Sequence, residues 1–303
     1  MTQQYIKAFI AAGIEFAYIY EEVDLSRITL ILQEISEYPG ATLFTFKELL
    51  PREERIKQIH SFILEYNPSK FFMHIMPWDV VAVGVCSLLV GIDRYNINAT
   101  DHTFWLGASN IDFSIEFRNY GYSVSLEKRG LKEEQLLMLP YYPPVNRTQF
   151  KGFPKSVSDD DIKIFSGGSI YKICGDDQAY FKLIKRLLNE NKNVKLLFAG
   201  TGDNKYLMNF IEDNGFSNRI YFIGNRTDII EVFENCDIYL GTYPITGGLM
   251  SQFAAKASKP ILAYADISLS ISFVEGFVCH LKHINITFNN FEQFFSYGRQ
   301  LCT

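Results

Sequence analysis

Apolar runs of five or six residues recur along this chain, separated by longer stretches in which apolar positions return every three or four residues. The first spacing predicts strands and the second predicts helices. In the opening MTQQYIKAFIAAGIEFAYIY, residues Tyr5, Ile6, Phe9, Ile10 and Ile14 follow the helical spacing, Gly13 closes the helix, and Glu15–Tyr20 follows as a strand. Next come a helix over Leu25–Tyr38, a strand over Ala41–Phe46 and a helix over Arg52–Tyr66, opened by Pro51 at a first-turn position and broken by Asn67-Pro68. A strand over Lys70–Ile75, a helix from Trp78, strands over Arg94–Ala99 and Asp112–Phe117, a helix from Asn119 and the strand QLLMLP complete a first run.

The stretch YYPPVNRTQFKGFPKSVSDDD, Tyr141–Asp161, is rich in Pro, Ser and Asp and has no period, so it reads as an interdomain linker. It divides the chain into a first domain over residues 1–145, a linker over 146–160 and a second domain over 161–303. The second run alternates strictly: strand IKIFSG, helix Asp176–Glu190, strand VKLLFAG, helix Asn204–Asn214, strand RIYFIG, helix Asp228–Asn235, strand DIYLGT, a Gly-Gly loop with its helix, and strand PILAYA. Short apolar strands alternating with helices predict parallel sheets covered on both faces. The fold class is α/β, with two similar halves.

Composition narrows the function. At 48% hydrophobic and 21% charged residues the chain has ample material for two cores. A net charge of −5 argues against a general nucleic-acid surface or strong binding to an anionic membrane, leaving at most peripheral association. Five cysteines without CxxC or Cys/His ligand spacing fit neither a disulfide framework nor a zinc site and suit a reducing cytoplasm. The longest apolar stretch, DVVAVGVCSLLVGI, is shorter than the roughly 20 residues of a spanning helix and reads as a helix packed on a sheet.

Ligands of open α/β sheets sit beyond the carboxyl ends of the strands. In the second half the loops at those ends read SGGSIYK, AGTGD, IGNR and TYPITGG, all polar and Gly-bearing, which points to a nucleotide-type ligand. Gly247 and Gly248 at a helix start, with the amides of Leu249, Met250 and Ser251, form a candidate anion site, because the first helical N–H groups have no partner inside the helix. The glycines are expected to permit positive φ and a close ligand approach. Gly200 and Gly202 in AGTGD are expected to let that strand end approach the ligand, and Asp203 reads as a helix N-cap. In the first half His102, with Asp101 beside it, sits where RYNINATDH runs out of a strand into a polar loop. Its imidazole titrates near neutrality and suits proton removal from a hydroxyl. His74, at the end of KFFMHI, is the second candidate. Arg118, Lys128 and Arg129 either reach a substrate or are solvated. His60, His280 and His283 carry no assignment.

FSGGSIYK, LLFAGTGD, IYFIGN, GTYPITGGL and ASKPILAY occur in an order and spacing that resemble the nucleotide-sugar-binding domain of GT-B glycosyltransferases, over about Ile162–Tyr264. DHTFWLGASNIDFSIEFRNYG, Asp101–Gly121, resembles the acceptor-domain segment of bacterial polysaccharide glycosyltransferases and, more loosely, protein O-linked N-acetylglucosaminyltransferase-like enzymes. The resemblance implies two Rossmann-like domains with parallel sheets facing across a cleft. It also implies transfer of a sugar from a nucleoside diphosphate sugar to a hydroxyl of a glycan or lipid-linked acceptor, in bacterial surface polysaccharide synthesis. Lys172 takes the place of a basic phosphate ligand, Asn225 and Arg226 that of a nucleobase contact, and Gly168 and Thr246 line the same donor site. No metal and no cofactor beyond the donor are implied. The glutamate pair of many retaining members is absent, its positions being Ile245 and Phe253, which favours inversion. The first domain starts on a helix where the family starts on a strand, and little chain follows Tyr264 for the helix that crosses back. A nucleotide-sugar epimerase of the same fold, or a non-catalytic nucleotide-sugar binder, is the alternative.

Overall fold

The structure is a computed structural model and describes residues 2–21, 29–47, 49–268, 270–278 and 285–302. The chain divides into two compact units, Met1–Pro144 and Val145–Thr303.

The first unit runs α1 (Thr2–Ala11), β1 (Phe16–Glu21), α2 (Thr29–Ser36), β2 (Ala41–Phe46), α3 (Arg52–Tyr66), β3 (Lys70–Met73), α4 (Val80–Leu88), β4 (Asp93–Ile97), β5 (Phe113–Glu116), α5 (Asn119–Lys128) and β6 (Leu136–Met138). The part of the expected helix Leu25–Tyr38 before Thr29 lies outside the described residues. Pro51 sits at the cap of α3 and accepts from Glu54 and Arg55 through its carbonyl, while Asn67 ends the helix in the left-handed conformation, φ 53°. Strands β3, β4, β5 and β6 pair in parallel in that order, and β1 and β2 form a separate parallel pair. In register, Phe72 stacks on Tyr95 at 4.7 Å and Tyr95 on Phe113 at 4.9 Å, an aromatic row across three strands that fixes their pairing.

The second unit runs β7 (Ile162–Ser169), α6 (Ala179–Glu190), β8 (Val194–Thr201), α7 (Lys205–Asp213), β9 (Ile220–Phe222), α8 (Ile229–Asn235), β10 (Ile238–Leu240), α9 (Gly248–Lys256), β11 (Ile261–Tyr264), α10 (Glu275–Val278), β12 (Thr287–Phe288) and α11 (Phe291–Leu301). Its strands pair in parallel in the order β12-β11-β10-β7-β8-β9. One face of this sheet packs against Tyr180, Leu183, Leu187, Leu207 and Phe294, and the other against Val232, Phe233 and Ala254.

Two segments depart from the sequence reading. Residues 145–161 are not a free linker but part of the second unit. Phe150, Phe153 and Val157 pack on its core, Arg147 pairs with Glu234 at 2.7 Å, and the Lys151 amide donates to Asp228 at 2.8 Å. Beyond Tyr264, β12 and α11 extend the sheet and cover it. Asn290 caps α11 by accepting from the Glu292 amide, Phe294 and Phe295 are buried, and Arg186 stacks on Phe295 at 4.0 Å while pairing with Glu292. Among the described residues no helix is long and apolar enough to cross a membrane.

Strands β7 and β8 approach unusually closely at their carboxyl ends. A Cβ on Gly200 would lie 2.0 Å from the Gly168 carbonyl oxygen, and Gly168 itself has φ +142°. Gly200 is thus required by the neighbouring strand. Overpacking costs about 1–3 kcal/mol, occasionally more, and no rotamer relieves a backbone clash. Gly200→Ala is expected to lose at least about 3 kcal/mol in urea unfolding; a wild-type midpoint would contradict this packing.

Candidate functional site

The strand order of the second unit reverses between β7 and β10. The chain winds from β7 outward to β9, then returns to wind through β10, β11 and β12 on the other side. In open α/β sheets such a reversal, here beyond the carboxyl ends of β7 and β10, is where the flanking loops diverge and a ligand finds room. Two segments border it, the 3₁₀ turn Ile170–Ile173 after β7 and the loop Gly241–Gly247 before α9.

Neither segment is loose. The Thr242 hydroxyl donates to the Ile245 carbonyl at 2.7 Å, the Ile245 amide to the Lys172 carbonyl at 3.4 Å, and the Thr246 hydroxyl to the Ser272 carbonyl at 2.5 Å. The Ser272 hydroxyl donates to the Pro244 carbonyl at 2.7 Å, and Tyr243 is buried. This lattice holds the start of α9 beside Lys172.

Gly247 is the N-cap of α9 and offers no side chain to the first amides. The Ser251 amide and hydroxyl both donate to the Gly247 carbonyl, at 2.9 and 3.0 Å, and Ser251 is buried. The amides left without an acceptor among the described residues are therefore those of Gly248, Leu249 and Met250, one residue earlier than the set read from the sequence. Packing, not backbone conformation, favours glycine here: neither Gly247, at φ −85°, nor Gly248 has positive φ. A Cβ on Gly248 would lie 2.5 Å from the Phe277 ring, and one on Gly247 would lie 3.2 Å from the Tyr239 hydroxyl.

Lys172 is half-buried, and its stem lies against the end of β7, 3.6 Å from where a Gly168 Cβ would stand. On the other side Met250 of α9 approaches the Gly167 Cβ position at 3.0 Å. No carboxylate or other acceptor among the described residues pairs with the Lys172 ammonium, and burial lowers its pKa. A partly desolvated cation and three open amides thus flank one strand end, an arrangement suited to an anion. Among the described residues no group of three or more His, Cys, Asp or Glu side chains is placed to hold a metal ion.

The other donor-side residues have different occupations. Arg226 grips Asp228 with two hydrogen bonds, at 2.7 and 2.6 Å, donates to the Gly152 carbonyl at 2.9 Å and lies over Phe150. The Arg226 bonds hold the Asp228 pKa at about 2. The guanidinium is committed to pinning residues 150–152 and is not offered to a base. Asn225 is exposed. Asp203 accepts from the Lys205 amide at 3.1 Å, an N-terminal contact for α7.

In the first unit, β3, β4 and β5 bring His74, the loop Asn98–Thr103 and Arg118 to one carboxyl edge. Asp101 is buried and its carboxylate takes two bonds from Arg118, at 2.5 and 2.9 Å, while His102 Nδ1 stands 3.5 Å away with its ring 45% exposed. Burial opposes ionisation of Asp101, but bonds from His102 and Arg118 outweigh it and hold its pKa below the usual range. Beneath them Glu116, fully buried, accepts from Asn98, Ser114 and Ser125 at 2.7, 2.8 and 2.6 Å. Arg129 donates to Ser125 and to the carbonyls of Asp101 and Thr103. Arg118 and Arg129 are therefore fixtures of a buried polar network and not solvated charges; only Lys128 is exposed. The sequence signal for this network was the cluster of polar residues at strand ends, but their pairing spans up to 29 residues. His280 and His283 lie outside the described residues.

No protein-family model and no curated protein sequence matches the chain. Solved structures do. A glycosyltransferase from Rickettsia africae superposes with a TM-score of 0.68 at 14% identity, covering 99% of this chain and 84% of that one. HepE of Anabaena, in complex with UDP and glucose, gives 0.62 at 13% identity, over 87% and 77%. WaaG, a glycosyltransferase involved in lipopolysaccharide biosynthesis, gives 0.59 at 14% identity, over 98% and 85%. The fold is that of the GT-B glycosyltransferases: α/β, with parallel sheets.

His74 provides a test of the first unit's edge. Its Nδ1 is bonded to the Thr2 hydroxyl, docking α1, and burial lowers its pKa to about 4. An unfolded histidine titrates near 6.5, so between about pH 6.5 and 4 the unfolded state binds more protons and stability falls as pH falls. His74→Gln is expected to flatten that part of the stability-versus-pH curve measured by thermal unfolding. Parallel curves for the two proteins would contradict it.

Proposed function

We propose that the chain is a glycosyltransferase that moves a sugar from a nucleoside diphosphate sugar to an acceptor hydroxyl. The observation that carries this reading is Lys172, half-buried and with no counter-charge among the described residues, on a turn bonded to the loop that leads into the open amides of Gly248, Leu249 and Met250 at the strand-order reversal. A diphosphate supplies the missing negative charge. HepE, of like fold, is bound to UDP, which makes UDP the first ligand to test.

As the acceptor oxygen bonds to the anomeric carbon, the bond from that carbon to the phosphate oxygen breaks and the diphosphate leaves with the electron pair. Lys172 and the α9 amides meet the charge that develops on it. The helix terminus contributes about 0.3–1 kcal/mol at exposed sites, and a bond from a charged group about 1.5–3 kcal/mol, so the lysine contributes more than the helix. His102 takes the acceptor proton, and Asp101, fixed by Arg118, orients the imidazole. Ile245 and Phe253 stand where retaining enzymes carry glutamates, which favours inversion. The likeness of fold to WaaG, a glycosyltransferase involved in lipopolysaccharide biosynthesis, supports a role in surface polysaccharide synthesis, with a hexose as the sugar transferred in our reading.

Calorimetry with UDP tests the donor site. Lys172→Met is expected to weaken UDP binding about 10- to 100-fold with a melting temperature of the free protein at or above that of the wild type; equal affinity would remove the site. Because burial lowers the Lys172 pKa and a bound phosphate raises it again, binding takes up protons in the alkaline range. Wild-type affinity should therefore fall as pH rises there, and the Lys172→Met variant should not share that fall. His102→Ala should keep UDP affinity and lose about 10²- to 10⁴-fold in transfer to a glycan acceptor. A fully active variant would rule out the base.

A further inference from the structure

The carboxyl edge of the first sheet carries large apolar side chains that this chemistry leaves unused. Met76, Trp78 and Phe104 are 51%, 68% and 83% exposed. Their loops are well fixed. Asp79, next to Trp78, caps α4 by accepting from the amides of Val81 and Ala82, both at 3.0 Å. The Leu106 amide donates to the Pro77 carbonyl at 3.3 Å and ties the loop after β4 to the loop after β3. Arg129 holds the carbonyls of Asp101 and Thr103, the residues on either side of His102. Trp105 is buried beside Arg129, so the backbone turns one aromatic residue inward and presents its neighbour Phe104 to solvent. A single exposed apolar residue is ordinary; three large ones on two loops tied by the Leu106–Pro77 bond, one of them two residues from the exposed His102, mark a binding surface.

The occupant must be apolar on one face and rich in hydroxyls at its rim. An anionic lipid surface fits poorly, because the chain carries a net charge of −5. A pyranose fits well: its C–H groups carry partial positive charge, complementary to the negative face of an aromatic ring, while a hydroxyl at its edge reaches His102. We propose that Trp78 and Phe104 form a stacking platform for the pyranose ring of a saccharide acceptor, with Met76 at its margin. The assignment rests on the glycosyltransferase reading and names the acceptor class for it.

The test uses the two tryptophans as reporters, since iodide quenches exposed Trp78 and leaves buried Trp105. Methyl glucosides, methyl galactosides, methyl N-acetylglucosaminides and cellobiose are titrated in turn, with phosphatidylglycerol vesicles as a separate arm. At least one pyranoside should protect Trp78 from iodide, and Phe104→Ala should raise the concentration needed about tenfold. The proposal is overturned if no pyranoside protects Trp78, if vesicles protect and saccharides do not, or if Phe104→Ala leaves protection unchanged. UDP binding, measured in parallel, depends on the second unit alone. Its presence without saccharide protection rejects the platform and leaves the donor site standing, and its absence rejects the donor reading.

Discussion

A lysine ammonium that gives up part of its hydration without gaining a carboxylate raises the free energy of the folded state. Most buried charges in this chain avoid that penalty. Arg118 is paired with Asp101, Arg226 with Asp228, and Glu116 is surrounded by three donors. Lys172 is an exception, and it stands where the strand order reverses, beside a helix whose cap has no side chain. Its unfavourable solvation is relieved when an anion arrives, so the same desolvation that weakens the fold on its own strengthens binding. The hydrogen bonds from Thr242, Thr246 and Ser272 keep the loop in place for that arrival.

The two units solve different problems with the same kind of sheet edge. At the second unit's edge, among the described residues, bare amides and a half-buried lysine lack partners, which suits recognition of a phosphate. At the first unit's edge charge is internally balanced: Arg118 neutralises Asp101, Arg129 ties down the loop carbonyls, and the His102 ring beside them is left exposed. Removing one member of such a buried pair strands its partner's charge, which is typically worth about 3–5 kcal/mol. The network therefore reads as the foundation of the loop that displays His102 and Phe104 and buries Trp105.

Elements were legible where periodicity was strong. The strand Ala41–Phe46 and the helix Arg52–Tyr66 have the bounds that their apolar spacing and the Asn67-Pro68 break predict. The alternation of the second half revealed its parallel sheet, and the Gly-bearing loops revealed which edge to inspect. What the sequence concealed depends on partners distant in the chain. Residues 145–161 lack a period, yet Phe150 and Phe153 find a core and Arg226 clamps the backbone between them and α8. Arg118 looked like a surface charge because Asp101, 17 residues earlier, is not a helical or strand neighbour. Gly247 and Gly248 looked like sites of positive φ, whereas neither has it; the Phe277 ring leaves no room for a Cβ on Gly248, and the Tyr239 hydroxyl would crowd one on Gly247. The segment after Tyr264 offered only a two-residue strand and one amphipathic helix, too little pattern to announce an extension of the sheet.

A crystal structure of the protein with UDP tests the donor site most directly. The terminal phosphate should lie against the amides of Gly248, Leu249 and Met250, with Lys172 Nζ within hydrogen-bonding distance of its oxygens. A diphosphate bound elsewhere, or a Lys172 that remains turned away from it, would contradict the role given to this lysine and this helix start.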